Sequence, residues 1–138
     1  MNKNESKYFN TAIKMDKALL LLLSKKSFEY ITIKEICEVA KVNRSTFYLH
    51  YENTVDLLKE TTEYVIDNFL SYFSTDRSDV SVQLKTCDIK ELNFITPEYL
   101  APYLTFIKDN RDVFKTSLKH FQTMDFQNVY SRLFKYVF

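Results

Sequence analysis

Apolar side chains recur every three or four residues along much of this chain, which is the spacing of a helix that buries one face. The first apolar stripe runs from Ala12 to Leu23 and predicts an amphipathic helix over roughly residues 9–26. A longer stripe from Val55 to Phe73 predicts a helix that ends near Ser74. The pattern therefore predicts an all-α protein.

Two short helices are predicted between the long ones from their capping residues. Thr32 and Glu35 form a capping box, so a helix begins after Thr32 and covers residues 33–40. Asn43 is a second N-cap and predicts a helix over residues 44–50. Two capped helices separated by a three-residue turn are typical of a helix-turn-helix motif.

The turn between these helices has Lys41 where glycine is common. A left-handed backbone at this position would cost a lysine about 1–2 kcal/mol. Lys41 is thus an argument against the motif, although it does not exclude it.

The second half of the chain gives a less complete pattern. Residues 75–79 are polar and predict a loop, and residues 80–95 predict only a short helix and irregular chain. Thr96 and Pro97 have the order of an N-cap and a first helical residue, so another helix begins there. Further helices are predicted over about residues 111–121 and from about residue 128 to the end.

The composition excludes several classes of protein. The 138 residues include no glycine and two prolines, which excludes a Gly-rich phosphate loop and disfavours a barrel with many tight turns. Two histidines in no recognisable nucleophile–base order predict neither an enzyme nor a cofactor or metal site. Cys37 and Cys87 lie fifty residues apart, suit no zinc site and are expected to be reduced and structural.

Charge is unevenly distributed although the net charge is only +1. Residues 1–52 have nine Lys and Arg against six acidic residues, whereas residues 53–138 have ten against twelve. Contact with a polyanion is therefore expected in the first part. The polar start of the chain indicates no signal peptide, and the apolar run 18–23 is too short to span a bilayer. We expect a cytoplasmic protein without a membrane partner.

The segment Asn-Arg-Ser-Thr-Phe-Tyr-Leu-His-Tyr at residues 43–51 is the most specific motif. Together with Phe28, residues 31–36 and the Leu57-Leu58 pair, it resembles the DNA-binding domain of the TetR family of bacterial transcriptional regulators. The resemblance covers about residues 10–60. Residues 95–121 resemble, more loosely, one type of TetR-family C-terminal region.

The resemblance implies an N-terminal helix-turn-helix DNA-binding domain at residues 1–52. A long helix would join it to a helical effector-binding and dimerisation domain at residues 53–138. It further implies a homodimer on a palindromic double-stranded operator, acting as a repressor that a small-molecule or protein effector releases. Family members usually run longer, so we expect either an incomplete second domain or a different dimer.

Phe47 is the best core anchor of the third helix, which leaves Arg44, Ser45 and Tyr48 to point outward. Arginine can donate two hydrogen bonds to guanine O6 and N7 in the major groove, and tyrosine can bond a phosphate or pack on a thymine methyl. The family commonly has a phosphate-binding lysine where this chain has Thr54, which can donate one hydrogen bond but adds no charge. The predicted DNA contacts are Thr32, Lys34, Asn43, Arg44, Ser45, Thr46, Tyr48, His50, Tyr51 and Thr54.

Other interpretations of these residues stay open. Tyr48 and Tyr51 could be half-buried aromatics, His50 a surface or cap residue, and Arg44 a solvated charge. Aromatic residues at helical spacing are typical of a core, but in the second half they could also line an effector pocket. That candidate set is Phe69, Phe73, Tyr99, Tyr103, Phe106 and Phe114. The alternative function is a helical protein- or ligand-binding module that has lost DNA binding.

Overall fold

The computed structural model describes residues 2–72 and 97–126, which are helical and contain no strand. This confirms the all-α prediction. The predicted loop at 75–79, the segment 80–95 and the last helix from residue 128 lie outside the described residues. In chain order the helices are α1 (Lys3–Leu23), α2 (Ile33–Ala40), α3 (Arg44–His50), α4 (Thr54–Ser71), α5 (Pro97–Asp109) and α6 (Arg111–Lys119), with a 3-10 turn at Phe28–Tyr30.

Helix α1 begins six residues before the predicted start at Phe9. The amide of Glu5 donates to Asn2 Oδ1 at 2.9 Å, and the amide of Asn2 donates to the Glu5 carboxylate at 3.2 Å. This capping box starts the helix in a polar segment, whereas the apolar stripe begins only at Ala12. The prediction was wrong here because the first two turns of α1 have no buried face.

The core lies where α1 packs against both α2 and α4. Met15, Leu19 and Leu23 of α1 are fully buried and form the centre of this core. Two residues that follow α6, Met124 and Phe126, belong to the same apolar cluster. The end of the described chain therefore packs against the helices that hold the helix-turn-helix.

Lys41 ends α2 in the left-handed conformation, with φ 57° and ψ 47°. The amide of Val42 donates to the carbonyl of Cys37 at 3.0 Å, and the amide of Lys41 donates to the carbonyl of Glu38 at 3.4 Å. These two bonds make a Schellman turn, which satisfies carbonyls at the end of α2. The sharp turn between α2 and α3 is thus formed without glycine.

Replacing this lysine by glycine should stabilise the protein. Lys41→Gly removes the steric penalty of the left-handed region, and we expect the free energy of unfolding to rise by about 0.5–1 kcal/mol. Urea denaturation measures the change. The matched control is Glu38→Gly inside α2, which should lower the free energy of unfolding by about 1 kcal/mol. Destabilisation by Lys41→Gly would show that the left-handed turn is not formed in solution.

A buried carboxyl group lies between α1 and α4. Asp16 is 3% exposed, and the Thr61 hydroxyl of α4 donates a hydrogen bond to its Oδ1 at 2.9 Å. Burial raises the pKa of Asp16 to about 7; the Thr61 hydrogen bond opposes this rise, and the Glu60 carboxylate adds to it. A carboxyl group whose pKa lies near neutral pH therefore joins the two helices.

Asp16 should make stability depend on pH. Between its ordinary pKa of 3.8 and about 7, the folded state binds more protons than the unfolded state, so the free energy of unfolding falls as pH rises. We expect Asp16→Asn to be more stable than the wild type at about pH 8 and to lose this advantage at about pH 4. Urea denaturation at both pH values checks the result, with the exposed Asp67→Asn as control. An equal difference at both pH values would contradict it.

Candidate nucleic-acid interface

The start of α2 is held in place by its capping box and by an ion pair. The amide of Thr32 donates to the Glu35 carboxylate at 3.0 Å, and the Thr32 hydroxyl accepts from the amide of Glu35 at 3.2 Å. The same carboxylate accepts from the Lys26 ammonium, just beyond α1. This bond and the bond from Thr32 keep the pKa of Glu35 below its usual range. The helix-turn-helix is thus tied to the end of α1.

Helix α3 presents one inner and one outer side. Phe47 is 0% exposed and packs in the core as predicted. Because successive residues turn by about 100°, positions 45 and 49 lie opposite Phe47, and positions 44 and 48 lie about 60° and about 100° round the helix from it, both on one side. All four side chains are exposed: Arg44, Ser45, Tyr48 and Leu49. We call these four residues the α3 outer face.

Asn43 holds the first turn of α3 through its side chain. Its Oδ1 accepts from the amide of Thr46 at 2.8 Å and from the hydroxyls of Ser45 and Thr46, each at 2.7 Å. An oxygen that accepts three hydrogen bonds fixes the backbone of this turn. Asn43 and Thr46 thus fix the turn that holds Arg44 and Ser45, and their own contacts with DNA stay predictions.

His50 and Tyr51 lie away from the α3 outer face. The His50 ring stacks on Tyr8 of α1, with ring centroids 3.9 Å apart, and burial lowers the pKa of His50. Tyr51 is 6% exposed, and burial is the largest cause that raises the pKa of its hydroxyl. The ring packs against Phe47 inside the core, which leaves little surface for the predicted contact of Tyr51 with the DNA backbone.

Leu49 is the residue of the α3 outer face that the sequence analysis missed. Its side chain is 76% exposed, more than that of its neighbour Tyr48 at 50%. Among the large apolar side chains of the described residues, that of Leu49 is the most exposed. The helical spacing of the sequence could have identified Leu49, because positions 45 and 49 lie one turn apart on the side opposite Phe47.

The remaining predicted contacts stand at the starts of α2 and α4. Thr32 and Lys34 are exposed at the first turn of α2. Thr54 is half-buried as the first residue of α4. Asn53 Oδ1 accepts from the amide of Asp56 at 3.0 Å, so Asn53 caps α4 as predicted. Two helix starts thus flank α3, each with free backbone amides that favour anions.

A separate cavity of about 200 Å³ lies among α4, α5 and α6. Four of the six aromatics predicted for an effector pocket line it: Phe69, Tyr103, Phe106 and Phe114. Phe73 lies outside the described residues, and Tyr99 lies on α5 with a side chain that is not described. The four rings come from α4, α5 and α6, so the cavity forms only when these three helices pack together.

His120 connects the wall of this cavity to α1. It follows α6, is 7% exposed, and its Nε2 lies 2.7 Å from the carbonyl oxygen of Leu23 at the end of α1. Phe121 and Phe126, on the same stretch of chain, line the cavity. A stretch of chain that forms part of the cavity wall is therefore hydrogen-bonded to the end of α1.

The described part of the chain shows no disulfide at Cys37, no metal site and no membrane-spanning helix. Cys37 is buried without a disulfide, and burial raises the pKa of its thiol. Residues 2–72 and 97–126 contain no group of three His, Cys, Asp or Glu side chains placed to hold a metal ion. Within the same two ranges, no helix combines the length and the apolar character needed to cross a membrane.

Comparison with known proteins finds a relative that is described as a regulator. The chain is 27% identical over 121 residues to the uncharacterized HTH-type transcriptional regulator YxbF of Bacillus subtilis (strain 168). The match covers 88% of this chain but only 28% of the relative. No family model matches the chain, and no solved structure matches it. The chain is thus similar over most of its length to a protein described as a helix-turn-helix regulator.

Proposed function

We propose that this chain is a DNA-binding transcriptional regulator of the helix-turn-helix type. The observation that carries the proposal is the α3 outer face, where four side chains are exposed above a fully buried Phe47 in a doubly capped motif. A recognition helix requires this arrangement, because its core side must be fixed while its other side enters the major groove. Similarity to a helix-turn-helix regulator supports the same conclusion.

The outer face offers chemistry for reading bases. Arg44 can donate two hydrogen bonds to guanine, and Ser45 is small enough to allow a close approach. Tyr48 and Leu49 present apolar surface that can pack on thymine methyl groups. The α3 outer face is thus expected to recognise guanine near the start of α3 and thymine near its end.

The phosphate contacts come from the flanking helix starts. Thr32 and Lys34 at α2 and Thr54 at α4 can bind the DNA backbone on either side of the groove. The basic excess of residues 1–52 favours the same surface. Few lysine or arginine side chains take part in these contacts. The affinity for DNA should therefore fall less steeply with salt concentration than it does for DNA-binding proteins with many phosphate-binding lysines.

The finer proposal follows the TetR resemblance. Residues 1–52 act as the DNA-binding domain and residues 53–138 as the dimerisation and effector domain. Two copies place their α3 helices in successive major grooves about 34–36 Å apart or somewhat wider, on a palindromic operator. The regulator represses, and an effector releases it.

The hydrogen bond between His120 and Leu23 supports this mode of release. An effector in the cavity touches α4 and the chain around His120, while α1 packs on both α2 and α4. Movement of that segment would shift α1 and with it the helix-turn-helix. When the spacing of the two DNA-binding domains no longer matches the operator, both cannot bind at once, and the affinity of the dimer for the operator falls.

Selection from a random-sequence DNA duplex library tests the proposal. We expect the purified chain to enrich an inverted repeat whose half-sites contain guanine and thymine. A directional single motif would contradict the symmetric dimer and leave DNA reading intact. Recovery of no motif would contradict the regulator and favour the alternative, a helical module that binds a protein or ligand without DNA.

A further inference from the structure

The first two turns of α1 have no place in the core, although they carry two large aromatic side chains. Residues 3–10 are exposed or half-buried, and Tyr8 and Phe9 are 54% and 56% exposed. The ring of Tyr8 nevertheless lies flat on the ring of His50, with centroids 3.9 Å apart and an angle of 18° between the two planes. The extension of α1 beyond its apolar stripe thus reaches the end of α3.

The ring of His50 is held by aromatic neighbours rather than by hydrogen bonds. His50 is the last residue of α3, and its side chain is half-buried. Besides Tyr8 it meets the ring of Tyr51, with centroids 5.7 Å apart and an angle of 32°. Such contacts are lost when a ring turns, so they fix the orientation of His50. Within residues 2–72 and 97–126, neither ring nitrogen has a hydrogen-bond partner and neither is fully buried, which leaves both available to a ligand.

The surroundings of His50 act on its charge in opposite directions. Burial has the largest effect and lowers the pKa of His50, whereas the Glu60 carboxylate of α4 raises it. Among the described residues, the titratable groups beside the ring are Glu60, Tyr8 of α1 and Tyr51 after α3. The end of a helix and the face of a tyrosine ring both favour a cation. A further negative group next to the ring would therefore favour the protonated form.

His50 stands between two parts of the proposed DNA interface. Tyr48 and Leu49 of the α3 outer face precede it directly, and Thr54, proposed as a phosphate contact, follows at the start of α4. A helix that lies in the major groove has its ends close to the phosphate backbones that border the groove. A phosphate is thus the negative group that the ring of His50 would meet on DNA.

We propose that Tyr8 is a positioning residue, which holds the ring of His50 at the end of α3 so that the protonated ring binds a DNA phosphate. This inference deepens the proposed regulator function and rests on it. A hydrogen bond from a charged donor is stronger than one from a neutral donor, so DNA binding takes up a proton from solvent. The phosphate raises the pKa of His50 in the complex. The gain in affinity is therefore complete below the pKa of His50 in the free protein and is lost as pH rises through its pKa in the complex.

Fluorescence anisotropy with the selected duplex at about pH 5.5 and about pH 8 tests the proton uptake. We expect the chain to bind about tenfold more tightly at the lower pH, the effect of a pKa raised by about one unit in the complex. The slope of log affinity against log salt should also be steeper there by about 0.9, because one more phosphate charge is neutralised. His50→Gln, which can bond a phosphate but has no charge, should lose both differences. Asp16→Asn, which removes another group with a pKa near neutral, should keep them.

Substitutions of Tyr8 test its positioning role in the same assay. Tyr8→Leu removes the flat ring and should weaken binding about 3–10-fold at the lower pH but little at the higher pH, where His50 is neutral. Tyr8→Phe keeps the stacked ring and should bind like the wild type at both pH values. Phe9→Leu is the matched control, since Phe9 is equally exposed on the next position of α1. All three positions of substitution are at the surface, so the variants are expected to fold.

Several results would overturn the proposal while the regulator stands, because the duplex is still bound in each. These are a wild type that binds equally at both pH values, and a pH dependence that persists in His50→Gln. Equal weakening by Tyr8→Leu at both pH values would mean that Tyr8 only stabilises α1. A loss in Tyr8→Phe or Phe9→Leu as large as that in Tyr8→Leu would also contradict the positioning role. Binding of no duplex at either pH would overturn the proposed function and this proposal with it.

Discussion

Phe47→Ala is expected to lower the free energy of unfolding by about 3–5 kcal/mol, the largest effect of any substitution considered. The ring is fully buried beneath α3 and contacts Tyr48 and Tyr51 edge-on or tilted, at 5.5 Å between centroids in each case. Its removal leaves a cavity in the core that α1, α2 and α4 share. Thermal or urea denaturation followed by circular dichroism measures the loss.

The matched control for this prediction is the next residue. Tyr48 is half exposed, so Tyr48→Ala should change the free energy of unfolding by no more than about 0.5 kcal/mol. Similar losses for the two variants would show that α3 does not have the inner and outer sides described above. The pair therefore tests the orientation of α3 before any DNA is added.

Arg44→Ala is expected to weaken binding to the selected duplex by about 1–3 kcal/mol, which is roughly 5–150-fold. It should also relax the preference at one position of each half-site, because the bidentate contact to guanine is lost. Stability should change little, since the side chain is exposed. Fluorescence anisotropy with the selected duplex and with single-base variants measures both effects.

Arg111→Ala is the control for Arg44→Ala. Arg111 is an exposed arginine at the start of α6, so its removal lowers the net charge equally without touching the α3 outer face. We expect only a small, sequence-independent loss of affinity. Equal losses for the two variants, without any change in base preference, would mean that Arg44 contributes charge alone.

The sequence predicted α2 and α3 with their observed bounds because their signals are local. Each N-cap, Thr32 and Asn43, bonds the amide three residues later, as its spacing implies. Lys41 accepts the left-handed turn despite the steric cost, because the two Schellman hydrogen bonds and the packing on both sides stabilise it. Local patterns thus determined the helices that matter most here.

The positions of individual rings could not be predicted in the same way. Tyr51 and His50 follow Phe47 closely, and whether they face solvent depends on Tyr8 and on the packing of α1 and α4. Aromatic spacing indicated four cavity residues on separate helices, but it could not show that they meet.

Photocrosslinking from position 49 tests the central claim most directly. A p-benzoylphenylalanine in place of Leu49, which is 76% exposed on the α3 outer face, should form a covalent adduct with the selected duplex under irradiation. The same group in place of Leu104, which is also exposed but lies on α5, should form none. The account predicts an adduct from position 49 alone. Adducts from position 104, or from neither position while the duplex stays bound, would contradict it.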